Sequence, residues 1–238
     1  LLDQPGLRID KRWKKMTALE HAESLNTSEQ HQKVCELLQD ARKRRLRIIS
    51  YNIDGSHAKL EAIKQVLLGL DADIICLQEV KELNLTTKHT QAHELAKELR
   101  MNCQYARAHE GLGRGNAILS KFPMHSVIHQ ALPIGSQLND ADERIIGYNQ
   151  GRVALAATVC PVRDDPTKDF LCLCVHFAIY NEGDKSDGEK GLKNVTIIEK
   201  MVEKIGMPAI LAGDLNSTIQ DPEDTILGRL ELGGWDIQ

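Results

Sequence analysis

The chain has 238 residues, 42% hydrophobic and 27% charged, with a formal net charge of −4, which suits one sizeable soluble α/β domain with a short appendage. No apolar run approaches the roughly 18 residues that a membrane helix needs. The charge is uneven: residues 1–47 carry net +4 and residues 48–238 net −8, so the body is no generic polyanion-binding surface, and part of its acidity is expected to serve a cation site.

In chain order, residues 1–27 read as a tail or docking segment. Residues 28–45 (SEQHQKVCELLQDARKRR) lack Pro and Gly and space Val34, Leu37 and Leu38 as an amphipathic helix does. They run into the basic stretch RKRRLR, 42–47, which suits a phosphate contact, a nuclear import signal or simply a solvated helix end. Residues 1–45 are therefore expected to form a basic helical extension, and residues 46–238 the main domain. The first residue is Leu and not Met, which is expected of a piece of a longer chain.

From residue 46 the pattern alternates. LRIISYNI reads as a strand, KLEAIKQVLLGL as a helix stopped near Gly69, DIICLQEV as a strand and HTQAHELAKELR as a helix. NCQYARAH and GNAILSKF follow as strands joined by GLGRG, then RVALAATVC and DFLCLCVHF. AIYNEGDKSDGEKG reads as a loop before a helix around KNVTIIEKMVEKIG, and PAILAGDL is the last strand. Strands alternating with helices, with a strand-rich middle, predict a layered α/β fold with mixed sheets.

The six cysteines are scattered and none sits in a CxxC pair. Cys76, Cys172 and Cys174 lie in apolar strand-like runs, and the set reads as small buried hydrophobes of a reducing compartment rather than as a zinc motif.

Several apolar strands close on polar residues: Asn52 and Asp54, then Glu79, then His176, then Asp214 and Asn216. Each alone has a plain structural use as a turn residue, a helix cap, a solvated strand end or a core histidine. Together they describe a metal-assisted site on a sheet rim, where strands are rigid mounts and where carboxylate and amide oxygens suit Mg²⁺ or Mn²⁺ rather than zinc.

YNIDG (51–55), LQEV (77–80), RGNAILSKFP (114–123), the histidine of CVHF (174–177) and ILAGDLNST (210–218) together resemble, in that order, the endonuclease/exonuclease/phosphatase (DNase I-like) superfamily over about residues 46–220. The resemblance implies a four-layer α/β sandwich of two mixed β-sheets flanked by helices. It implies a phosphoester hydrolase in which Glu79 and Asn52 hold Mg²⁺ or Mn²⁺. Asp214 would orient or deprotonate the attacking water, Asn216 bind a phosphate oxygen, and His176 stabilise the transition state. Asp54 extends the match to the YNIDG of the DNA-repair branches, which favours a nucleic-acid or tyrosyl-DNA-type phosphodiester. Sphingomyelinase-like or small phosphoester hydrolysis, or a non-catalytic binding module on the same fold, are the alternatives. Arg152, which opens RVALAATV, is expected either to clamp phosphate by its planar fork or to cap its strand in solvent. Asn116 reads as mainly structural and near substrate.

Members of the superfamily end on a strand bearing an SDH-like motif. None occurs after His176, the last histidine, so the C-terminal strands are expected to be missing and residues 1–238 on their own to be inactive or very weak. A monomer without a transmembrane segment, acting in the cytoplasm or nucleus, completes the expectation.

Overall fold

The computed structural model describes residues 46–55, 59–84, 86–87, 89–108, 113–133, 151–162, 165–178, 185–216, 226, 230 and 233–236, with side chains of the last helix described from residue 192. The expected helix at 28–45 and most of its basic run lie outside the described residues. Residues 48–238 form one compact unit.

Two mixed sheets carry the fold. In the first, β1 (Ile48–Asn52) pairs parallel with β2 (Ile74–Asn84). β2 pairs antiparallel with β5 (Arg114–Ser120), and β5 with β4 (Asn102–Arg107), giving the order β1-β2-β5-β4. The two-residue β3 (His89–Thr90) adds to the far end of β2. The second sheet runs β6-β7-β8-β9: β6 (Met124–Leu132), β7 (Arg152–Val159) and β8 (Phe170–His176) are antiparallel, and β9 (Ala209–Asp214) lies parallel to β8.

Side-chain alternation makes three apolar layers from these two sheets. Ile74, Cys76 and Ile118 of the first sheet meet Leu155, Ala157, Cys172 and Cys174 of the second in a dry middle layer. The opposite face of the first sheet, with Ile75, Leu77 and Leu119, is covered by α1 (Leu60–Leu70) and α2 (Gln91–Leu99) through Ile63, Leu67 and Leu95. The outer face of the second, with Ala154, Ala156, Leu171 and Leu173, is covered by α3 (Lys185–Ile205) through Val195 and Ile198. The result is the expected helix–sheet–sheet–helix sandwich. No helix among the described residues is long and apolar enough to cross a membrane.

Four details depart from the sequence reading. DIICLQEV does not end at Glu79: β2 continues to Asn84, because Gln78 and Glu79 form a β-bulge opposite the single residue Asn116 and the ladder resumes at Val80 with Gly115. β6 was not expected, since MHSVIHQAL mixes polar residues through an edge strand that is mostly exposed. His89 and Thr90 are not the start of a helix but a short strand, after which Thr90 caps α2 in a reciprocal box with His93. The last helix starts at Lys185, eight residues before KNVTIIEKMVEKIG; its first turns are rich in Ser, Asp and Gly, residues with poor intrinsic helix preference.

Polar groups inside the sandwich are tied down. Gln78, 1% exposed, sends its Nε2 to the Cys76 carbonyl (3.0 Å) and the Cys174 sulfur (3.4 Å). Asn116, opposite the bulge, donates from Nδ2 to the carbonyls of Val153 (2.8 Å) and Cys174 (3.4 Å), joining one sheet to the other. Asn116→Ala should therefore leave two buried carbonyls short of a donor and lower stability by about 1–3 kcal/mol. Denaturant unfolding checks this, with Asn116→Asp, which keeps the size but loses the donor, expected to be at least as damaging.

Candidate active site

The two sheets lie face to face with the C-terminal ends of β1, β8 and β9 on one rim, and the bulge of β2 opens on that rim too. Asn52 is the last residue of β1. Its Nδ2 donates to Glu79 Oε1 and to Asp214 Oδ2, each at 3.1 Å. One carboxamide thus holds a carboxylate from each sheet.

Backbone geometry aims these groups. Glu79 has φ +56°, a left-handed conformation rare for a residue with a side chain. That geometry belongs to the bulge. Leu77 and Val80 both face the helix layer, so the bulge resets the alternation and frees Glu79 to leave the ladder towards the rim. Gly55, at φ +56°, lies against it: a Cβ there would sit 3.2 Å from the Glu79 carbonyl and 3.3 Å from the Arg114 guanidinium, so the glycine of YNIDG is needed by both conformation and space. Gly213 lets β9 close on β8, since a Cβ would stand 2.1 Å from the Val175 carbonyl oxygen. Asp214 follows directly, its carbonyl accepting from Phe177 N–H at 2.9 Å. Asn216, at φ +47°, turns its backbone N–H to Asp214 Oδ1 (3.1 Å) and its Nδ2 to the Phe177 carbonyl (2.8 Å).

His176 ends β8 beside Asp214, its register partner, with Nε2 3.7 Å from Asp214 Oδ2. Burial holds its pKa below the ordinary value, and the Arg152 charge lowers it further, while Asp214 and Glu79 pull in the opposite direction. The imidazole is therefore neutral at pH 7.

The structure brings Asn52, Glu79, His176, Asp214 and Asn216 together, with Arg152 close enough for its charge to act on His176. Asp54 takes part through its backbone, whose N–H donates to Asn52 Oδ1 at 3.0 Å; its carboxylate is exposed and faces Lys59 at 3.4 Å. Asn116 is buried behind the bulge. One residue of the cluster was missed: Arg114, whose Nη1 meets Glu79 Oε2 at 2.5 Å. It opens β5 as Arg152 opens β7. A lone arginine at the head of an apolar strand is the signal that could have found it, hidden inside the glycines of GLGRG.

The arrangement offers oxygen donors and acceptors on a half-buried rim, a neutral histidine and two guanidinium groups: chemistry for an anionic substrate and a hard cation. A family model, Endonuclease/Exonuclease/phosphatase family, matches residues 49–230. Among solved structures, ANGEL2, a 2′,3′-cyclic phosphatase crystallised with adenosine-2′,3′-vanadate, aligns over 84% of this chain and 54% of its own at 19% identity and a TM-score of 0.54. The chain thus spans about half of that protein's length. D. rerio TDP2, humanized by 14 mutations, aligns over 79% of this chain and 66% of its own at 15% identity and 0.50. Beta toxin from Staphylococcus aureus aligns over 79% and 70% at 15% identity and 0.58. At these identities the likeness is one of fold. No curated protein sequence matches the chain.

The electrostatics give a direct expectation. Followed by NMR, His176 should titrate with a midpoint below the ordinary histidine value of about 6.5. Arg152→Ala should move that midpoint up and Asp214→Asn should move it further down. A midpoint indifferent to Arg152 would refute the assigned cause.

Proposed function

As the chain belongs to the endonuclease/exonuclease/phosphatase family, we propose that it is a Mg²⁺- or Mn²⁺-dependent phosphodiesterase acting on a nucleic-acid or tyrosyl-DNA-type substrate. The observation that carries this reading is the convergence of Glu79 and Asp214, one from each sheet, on the single amide of Asn52.

The carboxylate of Glu79 suits a hard divalent ion, and Asn52 would join it through its carboxamide oxygen once the amide, whose nitrogen faces Glu79 here, turns over, with no sulfur or imidazole needed. When bound, such an ion neutralises phosphate charge and polarises the P–O bond. The chain's own groups supply the rest. Asp214, fixed by the Asn216 N–H and by Asn52, orients the attacking water and takes its proton. Asn216 meets a phosphate oxygen. Arg152, and Arg114 once it leaves Glu79, offer planar forks to the phosphate. His176 is neutral at rest, and an arriving phosphate offsets Arg152 and favours its protonated form. It then donates to the oxygens that gather charge in the transition state. Asn116 supports the substrate face from behind.

YNIDG favours a nucleic-acid substrate, and the bound adenosine vanadate of ANGEL2 and the structural likeness to TDP2 are consistent with it. A second reading, a small or lipid phosphoester, is favoured by the net −8 of residues 48–238 and by an aromatic content of 4%, because nucleic-acid grooves usually carry basic and stacking residues.

The test is hydrolysis of bis-p-nitrophenyl phosphate and of a short DNA duplex, by the chain as it stands and by one extended with an SDH-bearing strand. Activity should require Mg²⁺ or Mn²⁺ and vanish with EDTA. Glu79→Ala should abolish it, and Asp214→Asn should lower kcat by about 10²–10⁴. Activity that survives both EDTA and Glu79→Ala would refute the proposal, and the preferred substrate selects between the two readings.

A further inference from the structure

At the other end of the second sheet, a different trio of side chains meets. His125 lies near the start of β6, Cys160 just follows the end of β7, and Asp169 immediately precedes β8. One ligand atom from each lies within 4.8 Å of the others. The strand β7 separates this cluster from Arg152 by roughly 25 Å at the usual rise per residue.

We propose that His125, Cys160 and Asp169 form a second metal site, for Zn²⁺ or a like borderline ion, distinct from the rim that carries Glu79.

The spacing is close to a tetrahedral ligand set. Metal–ligand lengths of about 2.0–2.3 Å put neighbouring donor atoms about 3.3–3.5 Å apart. Cys160 Sγ stands 3.5 Å from Asp169 Oδ2, His125 Nε2 stands 3.8 Å from the same oxygen, and all three ligand atoms lie within 4.8 Å of one another, so the set closes on an ion by drawing inward around Asp169. Imidazole, thiolate and carboxylate are ligands that zinc takes together, with water in the fourth position.

Two features point to a ligand, the Asp169 carboxylate and the Ser126 contact to His125. Asp169 Oδ1 is buried and has no hydrogen-bond partner among the described residues, an expensive state for a carboxylate oxygen that a nearby cation would relieve. A β-bulge follows His125 directly: the β6–β7 register holds at His125 with Thr158, shifts before Ile128, and Ser126 takes φ +49°. The same Ser126 places its Oγ 2.9 Å from His125 Nδ1, the partner that fixes a metal-binding imidazole with its other nitrogen free for the ion. The mounts are firm as well, since Cys160 N–H donates to the Pro123 carbonyl at 3.1 Å and Asp169 N–H to the Pro166 carbonyl at 3.2 Å.

Without an ion, burial and then the hydrogen bond to Asp169 hold the Cys160 thiol above its ordinary pKa, and the thiol donates to Asp169. An arriving cation takes the thiolate, and the thiol proton leaves to solvent.

Cobalt tests this, because a Co²⁺–thiolate bond absorbs in the near ultraviolet and a tetrahedral Co²⁺ centre absorbs intensely in the visible. Titrating the reduced full chain with Co²⁺ should give a saturable charge-transfer band at one equivalent, bleached by stoichiometric Zn²⁺. Cys160→Ser should abolish the band and His125→Gln should weaken binding at least tenfold; that side chain is 55% exposed, so the fold should hold. Ser126→Gly, which accepts the positive φ and removes the hydroxyl, should weaken binding about tenfold. Glu79→Ala should leave the band intact, which separates this site from the proposed catalytic one. No thiolate band at excess Co²⁺, or a band that persists in Cys160→Ser, would overturn the proposal.

Discussion

The rim depends on one amide. Glu79 and Asp214 are carboxylates on different sheets, and bringing them together opposes their charges in a half-buried setting where such repulsion is poorly screened. Asn52 Nδ2 gives one hydrogen to each, and Arg114 takes the second oxygen of Glu79. Asn52 can do this because its own oxygen is fixed by the Asp54 N–H, which orients the carboxamide with its donors forward. The sheets would pack through Cys76, Cys172, Leu155 and Ile118 without this fork. The fork, with the buried bridges from Asn116 and Gln78 to the second sheet, fixes how their rims are aligned, and therefore which side chains share one site.

That alignment accounts for three of the six described non-glycine residues at positive φ. Asp54, Glu79 and Asn216 all take positive φ, each at a cost of order 1 kcal/mol or more. They lie at three chain positions far apart in sequence, yet all three meet Asn52 or Asp214. Strain gathered on one constellation is the pattern of a site whose geometry is imposed by its surroundings. Gly55 and Gly213 are the complementary device, giving up a side chain where Glu79, Arg114 and Val175 come too close for one.

Most of the sandwich was legible because buried strands leave a simple trace. β2, β5, β7 and β8 are apolar on both faces and read as unbroken runs. The rim was legible for the complementary reason: polar residues placed after such runs have few purely structural uses when several recur. What escaped was information carried by pairing. Alternation in DIICLQEV gives no sign that Gln78 and Glu79 together oppose Asn116, since a bulge is a property of two strands and not of one. β6 escaped because an edge strand with one covered face needs few apolar residues, and those of MHSVIHQAL are displaced by its own bulge. Arg114 escaped because its partner is 35 residues away and its neighbours are glycines.

The two bulges invite a common reading. Each inserts one extra residue against an inner neighbouring strand, and each puts a non-glycine residue at positive φ: Glu79 itself in the first sheet, and Ser126, the neighbour of His125, in the second. In a regular strand a side chain must face one layer or the other, and in this sandwich both faces of an inner strand are apolar. A polar ligand can therefore appear only at a strand end or where the alternation breaks. His176, Asp214, Cys160 and Asp169 use the ends, Glu79 uses a break, and His125 stands near the start of the exposed edge strand β6. A fold of this kind concentrates its chemistry at its two rims, and the dry layer between them keeps the carboxylates of Glu79 and Asp214 apart from the Cys160 sulfur of the other.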